Sequence, residues 1–321
     1  MREGARKRRV VVCVVTYNHA RYIDDCLLSV LSQHVDAEVS IIVGDDQSTD
    51  GTSERVARIA DEWPGRVRHM LHEKRLGPIG NYRAIIAAAE GDFIAHLDGD
   101  DLWLPGKLRE QLDLLDRDTS CVASCTNAVV FDDLREPVGV FSNAMSRSYA
   151  IDQLLRRGNF LNHSSLLYRA AHKDAILAIA PPFIDYRMHL ELARNGPISY
   201  TSKVFVGYRA NATGSMLANA NEAVREAYFQ AIASALPCVG RGVRRAACVD
   251  MARRVFFRAL TSRNMALLKA WWPRLHQASG AGRPAFVGQF VLVTLGEGVR
   301  QFIQGASRLL LRAPLRVLYF R

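Results

Sequence analysis

Over the first 130 residues, short apolar runs alternate with helix-periodic segments, and each run passes directly into a polar loop. Val10–Val15 gives way to Thr16-Tyr17-Asn18-His19, Val39–Val43 to Gly44-Asp45-Asp46, and Phe93–Leu97 to Asp98-Gly99-Asp100-Asp101. Runs this short, and this rich in Val and Ile, read as strands covered on both faces. Between them, Ile23, Cys26, Leu27, Val30 and Leu31 mark one side of a helix. A second helix follows the turn Ser48–Thr52 and runs to about Glu62, and a third covers Ile79–Glu90. Val67–Leu71 supplies one more strand. Repeated strand–helix–strand units imply a parallel sheet with right-handed crossovers, whose ligands bind beyond the carboxyl ends of the strands. The three polar loops should therefore converge on one edge.

After Trp103-Leu104-Pro105, the pattern predicts a helix over Lys107–Leu115 and a strand over Val122–Phe131. Regularity weakens from 132 to 162, with a loop at Arg156–Asn159. A strand at Ser164–Tyr168, a helix at Tyr186–Arg194 and a short strand at Val204–Tyr208 follow. Beyond Asn219 the chain reads as mostly helical. With 321 residues and 49% hydrophobic side chains it can bury a full core without disulfides or a structural metal. The six cysteines show neither CxxC nor zinc spacing, and period-2 alternation around Cys121 and Cys125 places that pair in a buried strand. A reduced, cytoplasmic chain is expected.

The net charge of +10 is unevenly spread. Residues 1–9 carry +4, residues 240–321 carry 15 Arg or Lys against Asp250 and Glu297, and the body between them is acidic. Such a balance argues against a nucleic-acid grip across the fold. It favours a metal-holding body with a tail that meets an anionic surface. The six-residue apolar run near the start is too short for a signal peptide, and no run approaches the length of a spanning helix.

Asp98-Gly99-Asp100-Asp101 is the most informative cluster. Carboxylates this close repel one another unless a cation sits among them, and hard oxygen ligands suit Mg²⁺ or Mn²⁺ shared with substrate phosphates. The plain reading is a solvated turn capping the next helix; the position at the sheet edge beside Asp45-Asp46 favours function. No G-x-x-x-x-G-K-[ST] loop occurs.

Val14–Asn18, Ile41–Thr52 and Ala89–Asp101, in that order and with the intervening Gly77–Asn81 loop, resemble the family 2 glycosyltransferases of the GT-A fold. The resemblance covers residues 10–131 well and continues more loosely to Ser215. It implies an α/β, doubly wound and mostly parallel sheet in a catalytic domain over residues 1–215, with a donor half at about 10–131 and an acceptor half at about 132–215. A helical, basic region over 216–321 follows. By that resemblance, Thr16, with Tyr17 and Asn18, lies at the nucleotide, Asp46 reads the base with Asp45 beside it, and Asp98 lies near the ribose. Asn81 and His163 complete the nucleotide-sugar site, and Asp100 is the ligand of Mn²⁺ or Mg²⁺.

The general base of the family is a carboxylate that opens a later helix, and Asp185 takes that position, although Ile184 replaces the acid that often precedes it. Asp185 as a helix cap is the competing reading, and Glu191 and His189 are rival bases that helical spacing is expected to turn away from Asp185. His163 is open to two readings, pocket residue or hydrogen-bonded strand histidine. Lys74 and Arg75, in the loop before Gly77, read first as a solvated surface pair and second as a contact to the diphosphate, and Arg209 as either a phosphate partner or a structural one, beside a closing segment at Gly214-Ser215. Absence of Gln-x-x-Arg-Trp points to single addition. The implied reaction is inverting transfer of one sugar from a nucleotide-sugar to a hydroxyl of a glycan or lipid-linked glycan. A metal-dependent nucleotidyltransferase and a non-catalytic binding protein are the alternatives. In the tail, Val299, Phe302, Ile303, Ala306, Leu309 and Leu310 follow helical spacing opposite Arg300, Arg308 and Arg312, a pattern suited to an anionic membrane surface, with packing on the catalytic domain or on a dimer partner as the alternative.

Overall fold

The computed structural model describes residues 6–132, 136–210, 222–311 and 316–319, with side chains described except at 300–316. In chain order the first half contains β1 (Arg9–Thr16), α1 (Ile23–Leu31), β2 (Glu38–Asp45), α2 (Thr52–Glu62), β3 (Val67–Leu71), α3 (Gly77–Ala88), β4 (Phe93–Asp98), β5 (Leu102–Trp103), α4 (Lys107–Arg117) and β6 (Ala123–Phe131). Then come β7 (Pro137–Ser142), β8 (Arg147–Tyr149), α5 (Ile151–Arg157), β9 (Leu167–Arg169), α6 (Lys173–Leu177), α7 (Asp185–Ala193) and β10 (Ile198–Arg209). The remainder is α8 (Glu222–Ala235), α9 (Arg241–Thr261), α10 (Met265–Ser279), α11 (Arg283–Leu311) and β11 (Arg316–Tyr319).

One mixed sheet runs in the order β11-β7-β6-β9-β4-β1-β2-β3, with β10 joined to β6, β5 and β8. β4, β1, β2 and β3 are parallel, as the alternating pattern requires, and the short β9 is inserted antiparallel between β4 and β6. Successive β1 residues face opposite cores. Val10, Val12 and Val14 pack with Ile23, Leu27, Val56 and Leu112 of α1, α2 and α4. Val11 and Cys13 pack on the other face with Ile85 and Ile86 of α3, in a core that also takes in Leu190 of α7, Phe229 of α8, Met251 of α9 and Trp271 of α10. The C-terminal helices are thus built onto the α3/α7 side of the sheet.

Several sequence expectations need correction. Ser164 lies in a 3-10 turn, His163–Ser165, and strand geometry begins only at Leu167. β10 is twelve residues long, because pairing with β6 continues across a register shift at Thr201/Val204 that hides its period. The tail does not end as a helix, since β11 pairs parallel with β7 and sets Tyr319 4.7 Å from the ring of Phe141. The expected boundary at 215/216 and Gly214-Ser215 lie outside the described residues, as do the side chains of the stripe from Phe302 to Arg312.

Candidate active site at the carboxyl edge of the sheet

Strand register brings the polar loops level. Thr16 pairs with Asp45 across β1/β2, and Val15 pairs with Asp98 across β1/β4. The Gly99 amide donates to the Val15 carbonyl at 2.8 Å, and the Asp46 amide to the Thr16 carbonyl at 3.1 Å. Gly99 has to be glycine for closeness: a Cβ there would lie 2.9 Å from Thr16 Cβ, Thr16 Oγ1 and His19 Nδ1. Thr16 Oγ1 and His19 Nδ1 are both buried with no hydrogen-bond partner among the described residues. Buried polar atoms are normally satisfied, so the pair marks where a ligand's polar atoms fit.

The two aspartates after β2 serve different ends. Asp45 accepts from the Ser48 amide at 2.9 Å, from the Ser48 hydroxyl at 2.7 Å and from the Ser53 hydroxyl, with His69 Nε2 3.6 Å away. Burial alone would raise its carboxyl, but the bonds from His69, Ser53 and Ser48 outweigh burial and hold it at about 2. Asp46 accepts from the amides of Leu76 and Gly77 at 2.6 and 3.0 Å, which ties the loop after β2 to the start of α3. Asn81 is fully buried: its Nδ2 donates to the Gly44 carbonyl at 2.8 Å and its Oδ1 meets His72 Nε2 at 2.9 Å. Both ends of that amide are committed to the fold, so Asn81 brackets β2 against α3 and does not reach into the site. Asn18, in left-handed backbone with φ 56°, accepts from the Thr49 amide at 2.8 Å. The exposed Arg75 guanidinium lies 3.9 Å from the Tyr17 ring centroid and 3.8 Å from Asp46.

Past β4 the three carboxylates diverge. Burial opposes ionisation of Asp98, but His96, whose Nε2 lies 2.9 Å away, pulls its carboxyl below the usual range with help from His19 and Ser164. Burial raises Asp100, His19 opposes and Asp98 reinforces the rise. Asp101 is raised well above the carboxylate range, by burial first and then by Asp100 and Asp98. It caps no helix: it accepts from the Ser164 hydroxyl at 2.6 Å and the Arg209 amide at 2.8 Å, joining β4's loop to β10. Arg209 itself donates Nε to the Asp100 carbonyl at 3.1 Å and rests 3.9 Å over Tyr22, while its buried Nη1 lacks a partner among the described residues. Among the described residues no three His, Cys, Asp or Glu side chains form a closed metal cage. An uncompensated carboxylate beside orphaned polar atoms nevertheless fits a hard cation that takes one or two protein carboxylates and completes its shell with phosphate oxygens.

Asp185 opens α7 at its first position, and Ile184 is the N-cap. Its oxygens accept from Asn159 Nδ2 at 3.2 and 3.1 Å, and Oδ1 from the Tyr186 amide at 2.7 Å. Burial raises its carboxyl, the Asn159 and Tyr186 bonds lower it, and the charge of Asp98 raises it further. One turn along α7, His189 lies on the same face as Asp185, contrary to the expectation that it turns away. Its Nε2 meets His163 Nδ1 at 3.3 Å, and the His163 ring lies tilted against His96 with centroids 4.0 Å apart, while His96 contacts Asp98. Burial pushes His163 well below its ordinary value and His189 down to about 3, so both rings are neutral. Glu191 does face away, bonded to Arg187 at 2.6 Å and Arg194 at 3.4 Å. This row of three rings links Asp98 to the helix of Asp185. His96 was legible: two residues before Asp98 in a strand, it shares that residue's face.

With this geometry in place, comparison with known proteins is specific. The sequence profile of glycosyl transferase family 2 matches residues 11–173. The uncharacterised protein Rv1520 of Mycobacterium tuberculosis is 30% identical over 203 residues, 62% of this chain and 58% of its own length. The Escherichia coli UDP-Glc:alpha-D-GlcNAc-diphosphoundecaprenol beta-1,3-glucosyltransferase WfgD is 32% identical over 106 residues, 33% of this chain and 40% of its own. The chain therefore spans well under two thirds of these relatives. A solved structure of Staphylococcus aureus TarS 1–349 in complex with UDP-GlcNAc superposes with a TM-score of 0.64 at 17% identity, covering 84% of this chain and 81% of that one. That likeness establishes the GT-A fold. A profile match over half the chain, on the strands and loops that build this edge, makes this chain a member of glycosyl transferase family 2.

Proposed function

We propose that the protein transfers one sugar from a nucleotide-sugar to an acceptor hydroxyl with inversion, in a divalent-metal-dependent and non-processive reaction. Surface polysaccharide or glycolipid assembly is the proposed setting, in keeping with the diphosphoundecaprenol acceptor in the WfgD name. The observation that carries the reading is the placement of Asp185, a part-buried carboxylate gripped by Asn159 at the start of α7, on the helix whose His189 meets His163, which lies against His96 at the acidic edge of Asp98.

In this reading Thr16, Tyr17, Asn18, Asp46 and Arg75 receive the nucleoside, the buried Asp45 holds the loop behind them, and Asp98 faces the ribose. Asp100 holds Mn²⁺ or Mg²⁺, which when bound stabilises negative charge on the leaving diphosphate. The part-exposed His163, whose Nε2 has no hydrogen bond among the described residues, offers that atom to a sugar hydroxyl, and the buried rings behind it fix its orientation. Asp185 accepts the acceptor's proton as the glycosidic bond forms. Its raised carboxyl suits that work, because a base is most effective when its pKa approaches the working pH. Asp101 and Arg209 hold the loop that carries Asp100.

The same proposal assigns an anionic membrane surface to the C-terminal region. Val287, Val291, Leu292, Leu295 and Val299 leave an exposed aliphatic stripe on α11. Asp250 and Glu297, the acids of residues 240–321, are drawn into ion pairs with Arg253 and Arg254, and Arg274 pairs with Glu226, so the region keeps a large excess of positive charge suited to an anionic surface. No helix among the described residues is long and apolar enough to cross a membrane.

Asp185→Asn tests the catalytic reading. A panel of UDP- and GDP-sugars, with GlcNAc-diphosphoundecaprenol or water as acceptor, should show donor affinity kept and transfer slowed about 10²–10⁴-fold, the usual worth of a positioned general base. Transfer at the wild-type rate would remove Asp185 from the chemistry.

A further inference from the structure

The helices after β10 lie outside the matched family segment, yet they touch the loop that holds the proposed base. α5 ends at Gly158, whose φ of 71° is in the left-handed region and whose amide donates to the Leu154 carbonyl at 2.8 Å. There is no room for a side chain: a Cβ would lie 2.5 Å from Arg254 Nη2, 2.7 Å from the Tyr228 hydroxyl and 3.1 Å from Asp250 Oδ2. Arg254 and Asp250 of α9 are held together at 2.8 Å. The next residue, Asn159, donates its amide N–H to the Tyr228 hydroxyl of α8 at 3.2 Å, and its Nδ2 to both oxygens of Asp185. The Tyr228 ring stacks on Tyr186, the residue after Asp185, with centroids 5.0 Å apart and planes 23° from parallel. The Arg254 guanidinium lies 5.4 Å from the Tyr228 centroid.

We infer that the C-terminal helical region is a working part of the active site, in which Tyr228 of α8, seated against Arg254 and Asp250 of α9, positions Asp185 through Asn159. The inference rests on the reading of Asp185 as the base. Tyr228 reaches the carboxylate by two routes, one through the backbone of Asn159 and one through the stacked ring of Tyr186. Either route alone would tolerate some slack. Together they fix both the side chain that donates to Asp185 and the first turn of the helix that carries it. Tyr228 and Asn159 are positioning residues: neither is placed against the donor, the metal or the acceptor. A loop merely packed on a neighbouring helix has no reason to put a hydrogen-bonding hydroxyl behind the residue that donates to the base.

The test is a double-mutant cycle of Tyr228→Phe and Asp185→Asn, read as single-turnover release of UDP or GDP with the sugar panel above, together with donor affinity and melting temperature. Tyr228→Phe keeps the stacked ring and removes the hydroxyl. It should slow transfer about tenfold, an order less than a misplacement of about 1 Å can cost, with donor affinity unchanged. In the Asp185→Asn background the same change should cost nothing more, since there is no base left to misplace. Asn159→Ala cuts the chain at its other link without touching the helices. It should reproduce the pattern, and it carries the cycle if Tyr228→Phe melts below the assay temperature. Transfer by Tyr228→Phe at the wild-type rate, or a tenfold loss that persists in the Asp185→Asn background, overturns the inference while leaving the base assignment standing. Asp185→Asn at the wild-type rate overturns both.

Discussion

Asp45 offers a prediction whose size follows from its contacts. The side chain is fully buried at the end of β2, where it gathers Ser48, Ser53 and His69. Its carboxyl falls from an ordinary 3.8 to about 2 on folding. A folded-state pKa below the unfolded one means that ionised Asp45 stabilises the fold above pH 3.8, and that this stability is lost as pH falls through about 2. The difference is worth about 2.4 kcal/mol at about pH 6, and about 1.3 kcal/mol should survive at about pH 3. Asp45→Asn removes the titration while keeping the shape. Urea unfolding of both proteins across this range should show a stability gap that narrows toward acid. Other carboxylates lowered on folding, such as Asp50 and Asp92, are common to both proteins and cancel in the comparison. A gap that stays constant with pH, or widens toward acid, would refute the reasoning.

Gly99→Ala should drive a methyl group against Thr16 and His19, costing about 1–3 kcal/mol of stability as overpacking does, and should weaken donor binding more than it lowers the melting temperature suggests. Wild-type donor affinity in Gly99→Ala would mean that the strand ends are not the donor site. Leu292→Glu with Leu295→Glu should abolish co-sedimentation with anionic vesicles and leave hydrolysis of a soluble donor intact, because both side chains are exposed on α11. Binding that survives these changes, or that ignores salt, would favour a protein partner. Deletion of the tail from 297 is a poorer test, since it also strips β11 from the edge of β7.

What the sequence disclosed was set by how many residues carry each pattern. β1, β2 and β4 are buried on both faces for most of their length, so continuous apolar runs announce them, and register alone then brings Thr16, Asp45 and Asp98 together. β8 and β9 have three residues each, too few to show a period. Ser202 and Lys203 interrupt the apolar pattern of β10 in the same way. Residue type also says little about which way a polar side chain turns. Asn81 lies in a matched segment, in the first turns of α3, yet spends its amide on Gly44 and His72, and Asp101 lies beside Asp100 yet turns to Ser164 and Arg209. His189, one turn from Asp185, required only the helical repeat. The link from Tyr228 to Asn159 joins positions 69 residues apart and leaves no trace in local pattern.

The most direct measurement is a titration of UDP and GDP into wild-type protein and into Asp100→Ala, each with Mn²⁺ and with chelator. Binding by the wild type that strengthens with Mn²⁺, and binding by Asp100→Ala that is weak and indifferent to the metal, is the predicted result. Equal Mn²⁺-dependent affinity in the two proteins would contradict the assignment of this sheet edge as a metal-assisted donor site.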